Sequence, residues 1–325
     1  AGDAQWLPAA QRGCNPRAIG EVGVTVGEVI RVWGTAQVQS LARQWDLGFR
    51  KSHPRVRVES RLTGSDVGVA GLYTGFADLA VLGRECTAFE RKAFEWIFRY
   101  PPAQIQIMTG SLDRGGQAPA LIASVHRDNP LVQLTLVQLD AIFGHERLSG
   151  APESIRTWGD LGLTGEWAEK SIHLYADDAE SGTGRFFRHT VLGDSARMNW
   201  EHFTEFKGLD ARHRILAALA ADPAGLALTG GSSEFVPQVK ALALARDAGH
   251  GAVAASRESL ICGSYPLTRA VYAYFNRPPD APLDARLKAF LRYLLSEEAQ
   301  RDVVESNDYL PLSSESRRQQ LQKLA

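Results

Sequence analysis

The chain has 325 residues, enough for two domains or one large one. Hydrophobic residues make up 44% and charged residues 22%, an ordinary globular balance. The net charge of −1 leaves no general field to attract nucleic acid or an acidic membrane, and no apolar run approaches the ~20 residues that span a bilayer, so any anion site must be local.

Residues 1–28 are rich in Gly, Pro and polar side chains and read as an irregular N-terminal segment. Regular structure begins with an apolar strand over Val29–Trp33, followed by Gly34-Thr35 and a helix with Val38, Leu41, Ala42, Trp45 and Phe49 on one face. Val56–Leu62 alternates like a strand and runs into Thr63-Gly64-Ser65-Asp66 and a short helix ending near Thr74. A strand over Ala77–Leu82 closes on Gly83-Arg84-Glu85, and Thr87–Glu90 forms a capping box for the next helix. Strands are expected at Ala103–Met108 and Ala120–Val125, with a Thr135-capped helix to Phe143. A strand at Ser171–Tyr175 precedes Ser181-Gly182-Thr183-Gly184 and a helix over Arg185–Leu192. A helix over Leu209–Ala221 stops at Asp222-Pro223, and strands are expected at Leu226–Leu228 and Val239–Leu242. The chain closes with an aromatic-rich strand (Ala270–Phe275), an amphipathic helix (Leu283–Leu295), a second helix from Ser296, and a charged, poorly patterned tail from Ser313. Trp33, Trp45, Trp96 and the Tyr272-Tyr274-Phe275 run are expected in the core, since large aromatics usually serve burial.

Alternating strands and helices predict open, largely parallel sheets, whose ligands sit beyond the carboxyl ends of the strands. The loops at Gly34-Thr35, Gly64-Ser65 and Gly83-Arg84 all lie there and carry small residues. Ser181-Gly182-Thr183 between a strand and a helix makes a local anion seat. Free N–H groups and the positive dipole end meet hydroxyls and a closely approachable backbone there. The plainer reading is that Ser181 is an N-cap and the glycines turn the chain.

Cys14, Cys86 and Cys262 match no metal pattern, and the odd count leaves at least one unpaired; one disulfide and three thiols both stay open. No metal site or cofactor motif is evident among the scattered histidines. The first residues, Ala1-Gly2-Asp3, fit a mature chain whose signal peptide has been removed, and equally an edited one.

Taken in order, these segments resemble a PstS-type phosphate-binding protein, the extracytoplasmic receptor of a phosphate ABC transporter, over about Val29 to Leu312. Gly34-Thr35 resembles the first phosphate loop, Gly64–Gly68 the second, and Ala77–Glu85 the strand and loop of a third ligand cluster. The stretch His126–Phe143 resembles a frequent family segment, and Ser181-Gly182-Thr183 matches the fourth phosphate loop. Ser264–Arg269 resembles the return into the first domain, and Leu295–Gln300 with Tyr309–Leu312 the family's ending. The resemblance implies a type II periplasmic-binding-protein fold: two lobes, each a mixed, mostly parallel sheet flanked by helices, closing by a hinge on a ligand between them. Lobe 1 is expected to comprise 29–112 and 255–325, and lobe 2 residues 113–254. Ligand contacts are expected from Thr35, Ala36, Ser65, Arg84, Asp177, Ser181, Gly182, Thr183 and Arg185. Inorganic phosphate and a transporter permease are the implied partners of a periplasmic or secreted monomer.

Two positions depart from the family pattern. Asp177 stands where many members carry Arg, and Arg84 near where some carry Asp. Arg84 or Arg185 would then provide the charge, and Asp177 would read the phosphate proton or pair with the Arg. Phosphate near neutral pH carries a proton and sulfate carries none, so a carboxylate in the site accepts a bond from the first and repels the second. Asp66, Asp177, Asp178 and Glu85 are the candidate carboxylates. Rival readings are a binder of another oxyanion or a phosphorylated compound, acting as scavenger, sensor or adhesion-type protein, and a phosphoester hydrolase. The last is disfavoured by three features. Ala179 and Thr183 replace the glycines of a nucleophile elbow, His189 lies two helical turns from Ser181, and no P-loop is present.

Overall fold

The computed structural model describes residues 29–325 except 114–117, 209 and 234; the expected irregular segment 1–28, with Cys14, lies outside them, as does Leu209 at the start of an expected helix. The first half runs β1 (Val29–Gly34), α1 (Gln39–Ser52), β2 (Arg57–Arg61), α2 (Ser65–Tyr73), β3 (Leu79–Leu82), α3 (Ala88–Phe98), β4 (Ala103–Thr109), β5 (Leu121–His126), β6 (Gln133–Thr135) and α4 (Leu136–Phe143). The second half runs β7 (His173–Asp177), α5 (Gly182–Thr190), β8 (Phe203–Phe206), α6 (Ala211–Ala220), β9 (Gly225–Gly230), β10 (Val239–Ala241), β11 (Ala243–Ala245), α7 (Arg257–Ile261), β12 (Ala270–Phe275), α8 (Ala285–Leu294), α9 (Glu297–Ser306) and α10 (Ser314–Gln322).

Two five-stranded sheets result, ordered β2-β1-β3-β12-β4 and β10-β5-β9-β7-β8, with a small parallel pair of β6 and β11. Both sheets are mixed. In the first, β1 runs parallel to β2 and β3, while the returning β12 pairs antiparallel with β3 and β4. In the second, β7 is parallel to β8 and β9, and β5 is antiparallel to β9 and β10. Late strands threading back into a sheet thus contribute as many antiparallel pairings as the local strand-helix-strand units contribute parallel ones.

Helices cover both faces of each mixed sheet and bury its apolar side chains. Trp45 and Phe49 of α1 meet Phe290 and Leu294 of α8 on one face of the first sheet, and Val69, Leu72 and Phe94 of α2 and α3 meet Tyr274 on the other. Phe143 and Phe187 pack edge to face under the second sheet, and Ile215 and Leu219 of α6 close its opposite face. Each such side chain contributes about 2 kcal/mol by leaving water. The second core also includes Leu260, Tyr265 and Leu267, whereas Val271 and Ala273 belong to the first, so the chain passes from one core to the other beside Arg269.

Two expectations are corrected. The tail beyond Ser313 forms α10: Ser313 caps it, Gln320 accepts the Gln106 N–H at 3.0 Å, and Leu324 packs into the first core. Its apolar pattern is sparse because only one edge of the helix touches the protein. The expected strand at Val239–Leu242 is β10 (Val239–Ala241), and a further short strand, β11, follows it and pairs with β6. Trp96 is 76% exposed, because α3 buries only Phe94 and position 96 turns to the opposite side of the helix. Among the described residues no helix is long and apolar enough to cross a membrane.

Candidate functional site

Turns following β1, β2 and β7 bring helix N-termini to one cleft. At the end of β1, Gly34 has φ +150°, and any side chain there would overlap the Val81 carbonyl of β3. That close approach lets Thr35 donate its N–H to Val81 O at 2.9 Å and lets Gly64 donate to Gly34 O at 2.9 Å. Thr35, 5% exposed, and Ser65 are thereby set side by side at the starts of a 3-10 turn and of α2. The Thr35 hydroxyl bonds to the Gln37 side-chain oxygen. After β7, Ser181 caps α5 by accepting the Gly184 N–H at 3.0 Å, and a side chain on Gly184 would overlap the Asp178 carbonyl. The first-turn N–H groups of Gly182 and Thr183 have no acceptor within the helix. They present the positive end of the dipole to the cleft.

Thr35, Ser65, Arg84, Gly182, Thr183 and Arg185 all line one cavity of about 410 Å³. Ala36, Asp177 and Ser181 are not on its wall. Ala36 is exposed in the 3-10 turn beside Thr35. Asp177 points behind α5 towards Phe143 and Phe187, where burial raises its pKa while the Gly230 N–H and the field of Arg212 pull it back. The Ser181 oxygen is engaged in the cap. Two carboxylates share the wall, Asp66 at the first turn of α2 and Glu180 before α5.

The cations on this wall differ in how far their charge is engaged. Arg84 makes a two-point pair with Glu90, 2.8 Å at each contact, and reaches Asp66 at 2.7 Å. Burial opposes its charge, but Glu90 and then Asp66 more than offset this and hold its pKa above the ordinary value. Arg185 is half exposed and stands 3.6 Å from Glu180. Arg269, just before β12, is only 6% exposed and faces no carboxylate among the described residues. Its Nη2 donates to the Gly83 carbonyl at 3.0 Å, and its Nε has no partner among the described residues. Burial lowers its pKa to about 10, with nearby Arg84 adding to the effect and Tyr309 opposing it, so it remains a cation at neutral pH. Sequence reasoning placed Arg269 only in the return to the first domain. The signal that marks it is a charged residue at the head of an apolar strand, where the chain crosses between the cores.

This arrangement of helix ends, hydroxyls and one buried unpaired guanidinium suits a small oxyanion. A family model for the PBP superfamily domain matches residues 18–298. The phosphate-binding protein PstS of Pseudomonas aeruginosa is 31% identical over 281 residues, covering 86% of this chain and 81% of that protein. Protein SphX of Synechococcus elongatus is 23% identical over 255 residues, covering 76% of this chain and 67% of that protein. Among solved structures, PstS from Borrelia burgdorferi superposes with a TM-score of 0.63 at 15% identity, covering 88% of this chain and 100% of that one. An ABC-type phosphate transport receptor from Vibrio cholerae gives 0.57 at 18% identity, covering 87% of this chain and 99% of that one. These two likenesses bear on the fold, which is two-lobed. The chain belongs to the PBP superfamily and, within it, to the PstS family.

Proposed function

We propose that the protein captures inorganic phosphate between its two lobes and hands it to an ABC transporter. The observation that carries the reading is Arg269, a buried guanidinium without a carboxylate, on the wall of a cavity that also receives the N-termini of α2 and α5. A buried charge is costly unless paired, so an anion is the partner this wall lacks. Gly182 and Thr183 would donate N–H groups, Thr35, Ser65 and Thr183 hydroxyls, and Arg269 two parallel bonds. Arg84 then acts by holding Asp66 rather than by touching the anion, and Asp66 accepts a hydrogen bond from the protonated phosphate oxygen. Asp177, behind α5, shapes the helix end from outside the cavity. The similarity to relatives named as phosphate-binding proteins supports this choice of ligand.

The same reading takes the protein to be an exported monomer that performs no chemistry and docks on a transporter permease. Ser181 is engaged as a cap and His189 is held by Glu85 and Asp194, so neither forms a nucleophile–base pair with the other. We place one lobe at about 29–112 and from Ala270 to the end, and the other between them, because Leu260, Tyr265 and Leu267 pack in the second core.

A second reading rests on size. The cavity of about 410 Å³ exceeds what a tetrahedral oxyanion needs, since a water takes only ~30 Å³ of liquid volume, and it would admit a phosphorylated organic compound. Calorimetric titration of ligand-stripped protein decides between them. Phosphate heat that survives excess sulfate supports the phosphate receptor; no heat with phosphate, but heat with a phosphorylated compound, overturns it.

A further inference from the structure

His189, on the last turn of α5, lies between two carboxylates. Its Nε2 is 2.6 Å from Glu85 Oε2, and its Nδ1 is 3.0 and 3.1 Å from the Asp194 oxygens. A neutral imidazole has one N–H and would leave a lone pair facing one of these carboxylates; only the imidazolium donates to both. Asp194 follows α5 and belongs to the same lobe, so it orients the ring. Glu85 follows β3 on the first sheet, next to Arg84, and Tyr272 of β12 donates to its other oxygen at 3.3 Å. Arg185 and Arg188, on the helix of His189, turn to Glu180 instead. Among the described residues, Glu85–His189 is the one ion pair that joins an element of the first sheet's lobe to an element of the second's. The helix whose N-terminus faces the cavity is thus tied at its other end to the loop that forms the opposite wall.

We propose that His189, as the imidazolium, is a positioning residue that latches the lobes together through Glu85, so that closure is favoured in mildly acid solution and weakens as the pH rises. The supporting electrostatics have a definite sign. Burial alone would lower the His189 pKa, but the Asp194 hydrogen bond and the field of Glu85 outweigh it and leave it raised. Opening removes only the Glu85 part. Closure is therefore favoured in full below the open-state value, where Asp194 alone faces the ring, and this contribution is lost as pH rises through the higher closed-state value. Both side chains are about half exposed, so the effect is modest, roughly two- to fivefold in apparent affinity.

The inference rests on the phosphate reading for its affinity readout. Phosphate dissociation constants should be measured at pH 5.5 and 8.5 for wild type, His189→Gln, Glu85→Gln and the double variant. Comparison with the variants cancels phosphate's own titration. Wild type should lose about threefold more affinity across this range than His189→Gln, Glu85→Gln should remove the same component, and the double variant should add nothing. His189→Lys should restore tight closure without the pH dependence. Small-angle scattering of ligand-free protein gives a readout independent of phosphate: the radius of gyration should rise with pH in wild type and stay flat in His189→Gln. Equal pH profiles for wild type and His189→Gln, or additive effects of the two single variants, would overturn the latch. Absence of phosphate binding with the scattering change intact would overturn the ligand instead.

Discussion

The Nη2 of Arg269 donates to the Gly83 carbonyl at 3.0 Å and is 3.6 Å from where a Cβ on Gly182 would sit. One guanidinium thus touches the end of β3 and the first turn of α5, elements from opposite lobes.

Arg269→Gln should lower phosphate affinity at least about 100-fold, the scale of losing charge-assisted bonds in a desolvated site. Arg269→Lys should recover only part of this, because an ammonium does not reproduce the planar fork. Wild-type affinity should also fall as pH approaches about 10, where burial brings Arg269 into its titration range. Titration calorimetry checks all three, and an Arg269→Gln variant with undiminished affinity would exclude this residue from the site.

Ser181 and Thr183, two residues apart, should separate cleanly. Ser181→Ala removes a helix cap and should cost about 1 kcal/mol of stability, readable in urea unfolding. Thr183→Ala leaves the cap and should instead weaken phosphate binding by about 1 kcal/mol, roughly fivefold. Equal effects of both variants on both measurements would mean that the two hydroxyls share one role.

How far the sequence announced this site depended on range. The turns at Gly34-Thr35, Gly64-Ser65 and Ser181-Gly182-Thr183 were legible because each is a short local run of small residues between a strand and a helical turn. The capping box at Thr87 and the cap at Thr135 were read correctly for the same local reason, and the second is a capping box as well. The pairing of Arg84 with Glu90 was six residues away and still escaped notice, since a lone Arg in a loop looks the same whether its charge is engaged or not. Arg269 carries a local mark, a charge at the head of an apolar strand, but its lack of a carboxylate partner depends on β3, α5 and the inter-lobe crossing meeting in space. α10 was missed because a helix packed along one edge shows little apolar periodicity.

Asp66 should decide phosphate against sulfate. It lies on the cavity wall, held at 2.7 Å by Arg84, and a carboxylate there accepts the proton that only phosphate brings. Asp66→Asn removes the repulsion of sulfate, because the amide donates as well as accepts. The ratio of sulfate to phosphate dissociation constants should shrink about tenfold, chiefly through tighter sulfate binding. Competition titrations measure the ratio directly, and an unchanged ratio would move the proton-reading role to Glu180, the other carboxylate on the wall.

Glu90 offers a test of stability rather than affinity. Burial would raise its pKa, but Arg84 and the Thr87 donors outweigh this and hold it below the ordinary 4.5. A depressed carboxylate contributes stability in full above its unfolded value and loses it as pH falls through the folded one. Glu90→Gln leaves Arg84 facing only Asp66, and both members of the original pair are nearly buried. The variant should therefore be about 2–3 kcal/mol less stable than wild type at pH 7, the scale of breaking a largely buried pair. The gap should narrow as pH drops below the ordinary value of 4.5 and through the lower folded-state value, as wild type protonates Glu90 and loses the same interaction. Urea unfolding at pH 7 and pH 3 reads both numbers, and a gap independent of pH would mean that Glu90 acts through packing rather than charge.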